Sequence, residues 1–131
     1  MTGAASPDSP NDDLRRVVEA ADERQAIELR VLDLRSICDF TDHFLICSGA
    51  SSRQVQAIAS AVEEALAKRG VYPHHLEGAQ QGRWVLLDYG DFVVHVFDQE
   101  RRDYYRLEDI WSDAPDVTDH FLRDAQPAAD T

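Results

Sequence analysis

The chain switches repeatedly between apolar residues spaced three and four apart and apolar residues spaced two apart, the periods of a half-buried helix and of a strand. From Asp12 to Arg24, Leu14, Val17, Val18 and Ala21 share one helical side, with Asn11 or Asp12 placed to cap. Ile27, Leu29 and Val31 then alternate with Glu28 and Arg30, which predicts a first strand over 27–34. Arg35 to Asp42 has the composition of a connection. His43 to Ser48 is almost continuously apolar, as a central strand is. Ser51 and Gln54 form a capping box, and Val55, Ile58, Ala59, Val62, Ala65 and Leu66 follow at helical spacing until Gly70. A helix over 52–69 is predicted. Val71 to Leu76 predicts a short strand, at an edge because Pro73 has no N–H to donate. Gln99 to Trp111 puts Tyr104, Leu107 and Trp111 on one stripe of a last helix, with Arg101, Arg102 and Arg106 outside it.

The densest pattern is Trp84–Phe97, two β-branched and aromatic runs around Asp88-Tyr89-Gly90-Asp91, which predicts a hairpin. Phe92, Val94 and Val96 form an apolar face that belongs on a core; Val93, His95 and Phe97 form the other. The register has two solutions. A two-residue Tyr89-Gly90 loop puts Trp84, Leu86, Asp88, Asp91, Val93 and His95 on one face. A three-residue loop with Gly90 in a bulge exchanges the faces of the first strand. In both, each face is apolar enough to need covering. The order of elements predicts one α/β domain on about five strands.

Charge changes what such a domain can bind. The net charge is −12. Residues 1–13 hold three Asp and no Lys or Arg, residues 112–131 hold five Asp against Arg123, and the remaining −5 is spread over 14–111. No basic stripe is present to displace counterions from a phosphate backbone, so a basic protein is the more natural charged partner. No apolar run approaches a membrane span, and no secretory signal is visible at the N-terminus. Two cysteines, Cys38 and Cys47, do not make a disulfide framework and fit a reducing, cytoplasmic setting.

Three clusters invite chemistry. Ser48-Gly49-Ala50-Ser51-Ser52 joins a strand to a helix N-terminus and could cradle a phosphate, but it matches neither phosphate-loop pattern, and a capped turn has the same composition. Cys38, His43, Cys47, His74 and His75 lack the paired spacing of a zinc module. Asp88, Asp91 and His95 resemble an acid–base or Mg²⁺ set, yet no nucleophile or anion clamp accompanies them, and turns commonly use Asp. They fit better as polar points on an apolar docking face.

Several stretches together resemble the ribosomal silencing factor (RsfS, iojap-like) family: Val31-Leu32-Asp33, Thr41–Gly49 with Ser52-Arg53-Gln54, Glu77-Gly78, Trp84–Phe97, and Arg102 through Trp111. The resemblance covers roughly 12–112; it leaves 1–11 as a disordered extension and 113–131 as an acidic flexible tail. It implies a mixed five-stranded sheet with helices, similar to the nucleotidyltransferase fold. That fold's catalytic pattern of a Gly-Ser turn closely followed by Asp-x-Asp is missing. It implies no enzyme and no cofactor. It implies binding to the large ribosomal subunit through ribosomal protein L-fourteen, which sterically blocks joining of the small subunit and represses translation. A homodimer when free is also implied. On that reading the docking residues are Trp84, Leu86, Asp88, Tyr89, Asp91, Val93 and His95. The alternatives are a Mg²⁺-dependent nucleotide enzyme using Ser51, Ser52, Asp88 and Asp91, and a dimeric scaffold that pairs with itself.

Overall fold

The computed structural model describes residues 10–125 of the 131. Helix α1 (Pro10–Glu23) leads into β1 (Ile27–Asp33), β2 (His43–Gly49), α2 (Ser52–Ala67), β3 (His75–Glu77), β4 (Trp84–Asp88) and β5 (Phe92–Asp98). Three short helices follow: α3 (Gln99–Tyr105), α4 (Leu107–Ile110) and α5 (Thr118–Ala125). The strands form one mixed sheet in the order β1-β2-β5-β4-β3. Only β2 and β5 run parallel; every other pair is antiparallel. The expected α/β sheet of five strands is what forms.

Helices α1, α2 and α5 cover one face of the sheet. Leu14, Val17, Val18 and Ala21 of α1 meet Val55, Ile58, Val62 and Leu66 of α2 over Val31, Leu45, Cys47, Val85, Leu87, Phe92, Val94 and Val96. The capping box forms: Ser51 Oγ accepts from the Gln54 N–H at 3.1 Å, and Gln54 Oε1 accepts from the Ala50 N–H at 2.7 Å. On the other face a smaller core of Leu32, Leu34, Phe44, Ile46, Val93, Phe97 and Ala114 is covered by Leu107, Trp111 and Cys38.

Two expectations are corrected on that second face. The last helix is not continuous over 99–111, because Arg106 adopts the left-handed conformation (φ 47°, ψ 53°) and divides it. Arg102, expected outside the apolar stripe, is 4% exposed. Its Nε donates to Glu108 at 2.9 Å, Nη1 to Ser48 Oγ at 2.9 Å, and Nη2 to the Glu28 carbonyl at 2.7 Å. Residues six apart lie on different sides of a continuous helix, so the break is what lets Glu108 return to Arg102. The Glu28 carbonyl belongs to an irregularity in β1, where the register shifts between Ile27 and Arg30. Tyr104 leaves the stripe altogether and is 78% exposed.

The acidic stretch is corrected too. Residues 115–118 of the expected flexible tail close the β1 edge of the sheet and 118–125 form α5, while 126–131 lie outside the described residues. The Asp33 N–H donates to the Pro115 carbonyl at 2.9 Å, the Val117 N–H to the Val31 carbonyl at 2.8 Å, and the Val31 N–H to Thr118 Oγ1 at 2.8 Å. Helix α5 then drops Phe121, 3% exposed, into the main core beside Arg15 and His43. An unpaired strand edge is costly to bury and sticky to leave open, and this strap removes both problems. Removing Phe121 leaves a cavity at that anchor. Phe121→Ala should destabilise the fold by about 3 kcal/mol, read by urea unfolding, and the Val31 and Asp33 amides should lose hydrogen-exchange protection. Of the expected disordered 1–11 extension, Pro10 and Asn11 lie in α1, and 1–9 fall outside the described residues.

Candidate docking face

Hairpin register decides which side chains share a surface. Trp84 pairs with Phe97, Leu86 with His95, and Asp88 with Val93. The reversal is Gly90-Asp91, one residue later than Tyr89-Gly90, with Gly90 at φ +88°. The pairing therefore differs by two residues from the two-residue solution, and a shift of two preserves the faces. Trp84, Leu86, Asp88, Val93 and His95 do share one face. Long-range bonds fix this turn. Thr41 Oγ1 donates to the Gly90 carbonyl at 2.9 Å, and the Asp42 N–H donates to the Asp91 carbonyl at 3.0 Å.

The face is covered unevenly. Toward β1 and β2 it lies under α3, α4 and Trp111. Toward β3 it opens into a groove of ≈ 440 Å³ lined by His75, Glu77, Gly78, Trp84 and Leu86. Trp84 and Leu86 are half-buried, and Asp91 is exposed. A Cβ at Gly78 would lie 2.1 Å from the Trp84 carbonyl oxygen, so the floor of the groove depends on glycine there. Aromatic residues extend the surface: Tyr105 lies 4.9 Å from Trp84, and Phe40, 64% exposed, lies 6.1 Å from Trp111. Sequence patterning missed Phe40 and Tyr105 as surface groups. The signal available for Phe40 was an aromatic residue inside a connection, between Asp39 and Thr41.

Other predicted site residues behave differently. Tyr89 is 7% exposed and sits on the opposite face against Phe92, in the helix-covered core. Asp88 serves the turn, its Oδ1 accepting from the Gly90 N–H at 2.8 Å and its carbonyl accepting from the His74 N–H at 2.8 Å. Val93 and His95 are 6% and 4% exposed, so they underlie the surface and do not present it. His95 Nδ1 accepts from the Trp84 indole N–H at 3.2 Å, which leaves the imidazole proton on Nε2.

Burial pushes the His95 imidazole down to about 4 from the usual 6.5, with Asp88 opposing the shift weakly. Burial also lowers His43. The folded state therefore resists protonation that the unfolded chain accepts. The stabilisation is complete above pH about 6.5 and is lost as pH falls toward 4. Unfolding free energy should drop across that window by about 3 kcal/mol for His95. Urea titrations at stepped pH check this, and His95→Asn should flatten the slope.

The chemical alternatives do not assemble. Asp91 lies just before the start of β5 and Ser51 just beyond the end of β2, and those strands run in parallel. The two are separated by about 20 Å along the sheet. Cys47 is buried on the helix-covered face, Cys38 packs on the other, and His74 and His75 lie at the β3 edge. Among the described residues no three His, Cys, Asp or Glu side chains form a metal-binding group. No described helix is long and apolar enough to cross a membrane.

A family model described as "Ribosomal silencing factor during starvation", RsfS, matches residues 7–131. The chain belongs to this family. It is 45% identical over 104 residues to a ribosomal silencing factor of Halalkalibacterium halodurans, covering 79% of this chain and 89% of that one. It is 43% identical over 102 residues to the Bacillus subtilis ribosomal silencing factor, covering 78% of this chain and 86% of that one. A crystal structure of a Chromobacterium violaceum protein superposes with a TM-score of 0.77 at 33% identity, over 79% of this chain and 87% of that chain. The RsfS family match extends through α5, so the strap on β1 lies within the family's span. The curated relatives carry the name of regulatory proteins and not of enzymes.

Proposed function

We propose that this chain represses translation by occupying the large ribosomal subunit. It binds through ribosomal protein L-fourteen and denies the small subunit its joining surface. The observation that carries the reading is the half-open apolar face of a silencing-factor fold, with Trp84 and Leu86 at a groove edged by Glu77 and with Asp91 exposed at the turn beyond. Aromatic anchors within a polar rim are the makeup of a protein interface. Acidic groups around them suit a basic ribosomal protein. No turnover is required, since inhibition follows occupancy.

That distinction gives the test. Subunit joining, followed by light scattering, should be inhibited in proportion to the fraction of large subunits occupied, with saturation near one copy per subunit. Inhibition by a small catalytic fraction of the protein would overturn the steric reading. Free copies are proposed to pair as a homodimer, with the exposed aromatics of the same surface as the material for an interface. Sedimentation velocity should then show a dimer, and added large subunits should dissociate it.

A further inference from the structure

We infer that His95 is a positioning residue for Trp84, holding the indole in one orientation so that it is preorganised for docking. The inference rests on Trp84 being an anchor of the docking face. His95 is 4% exposed, so no partner group reaches it directly. It touches the surface through one directed bond, the indole N–H donating to Nδ1 at 3.2 Å. The indole is also flanked by Phe97 at 4.8 Å and Tyr105 at 4.9 Å. Those ring contacts set its tilt, whereas only the hydrogen bond distinguishes one edge of the indole from the other. His95 is in turn fixed by Phe44, whose ring centre lies 4.6 Å away edge-on.

The electronic requirement is specific. An indole offers a donor and no acceptor, so its partner must present a lone pair. Only a neutral imidazole with the proton on Nε2 does so at Nδ1. That tautomer leaves Nε2 buried without a hydrogen-bond partner among the described residues. Leaving a buried donor unpaired is unfavourable, and packing alone would be served better by an apolar ring. What the imidazole adds over such a ring is the oriented tryptophan. An anchor already in its bound rotamer loses less freedom on docking and dissociates more slowly.

The test uses the full chain in a Trp111→Phe background, so that Trp84 is the only tryptophan. His95→Phe keeps a ring and removes the acceptor. His95→Asn keeps an acceptor near the Nδ1 position, and His95→Gln moves it toward Nε2. Two quantities are read: hydrogen exchange of the Trp84 indole N–H by NMR, and dissociation from isolated large subunits. His95→Phe and His95→Gln should speed indole exchange and raise the dissociation rate, by between about twofold and tenfold. His95→Asn should restore both toward the parent. Should one of the two acceptor-removing variants fail to fold, the other carries the comparison. Unchanged indole exchange in both, or faster dissociation with the indole still protected, overturns the positioning role. If instead folded Trp84→Ala binds like the parent, the docking reading fails, and with it the reason for holding the indole.

Discussion

Trp84→Ala should fold and bind large ribosomal subunits about 30-fold more weakly, a loss of about 2 kcal/mol or more. The size follows from its position. The indole is half-buried in the free chain, packed at a tilt against Phe97 and Tyr105, and borders the groove with Leu86. A partner that fills the groove buries the rest of its surface, which is where interface energy concentrates. Asp91→Ala is the useful contrast. Asp91 is exposed at the rim, so its loss should mainly slow association and reduce salt dependence. Binding kinetics on immobilised large subunits at stepped salt measure both, and circular dichroism shows whether each variant is folded. Parent-like binding by both variants would place the docking surface elsewhere.

Arg102→Ala should be among the most damaging single substitutions to stability, alongside Phe121→Ala, at about 3 kcal/mol. The guanidinium joins four elements: α3 through its own backbone, β2 through Ser48, the β1 irregularity through Glu28, and α4 through Glu108. Truncation leaves Glu108 and a main-chain carbonyl without their donor in a largely closed space. Arg102→Lys should not restore the parent, because one ammonium cannot reproduce a planar fork directed at four acceptors, Glu108, Ser48 and the Ile27 and Glu28 carbonyls. A domain of this size has roughly 5–15 kcal/mol in total, so the shift in urea midpoint will be large. Binding should also weaken, since α3 carries Tyr105 against Trp84. A midpoint equal to the parent's would show that the network contributes specificity of packing without net stability.

Arg102 also marks a limit on what the sequence disclosed. Helix α2 and the hairpin were legible because their signals are local: a capping box, a helical stripe, two alternating runs and a Gly turn. Arg102 and the break at Arg106 were not. A charged residue in an amphipathic pattern reads as solvent-facing, and nothing nearby in the chain announces carbonyls contributed by β1. The strap was hidden for a related reason. Residues 113–125 are acidic and hold only the Phe121-Leu122 pair as an apolar cluster, so their composition suggests a tail. What orders them is the open edge of β1, some 85 residues earlier in the chain.

The candidate site was legible in part. The shared face of Trp84, Leu86, Asp88, Val93 and His95 follows from strand alternation once the register is set, and Thr41 and Asp42 set it from outside the hairpin. Depth is not in the alternation. Tyr89 belongs to the other face, and Val93 and His95 lie beneath the surface because α4 and Trp111 cover that end of the sheet. The open end is the one that β3 leaves bare.

Co-sedimentation with isolated large and small ribosomal subunits, separately and then together at working magnesium, tests the central claim most directly. The chain should pellet with the large subunit alone, and joined ribosomes should decrease as it binds. A chain that stays in the supernatant with either subunit, or binds the large one without reducing joining, would contradict repression by occlusion.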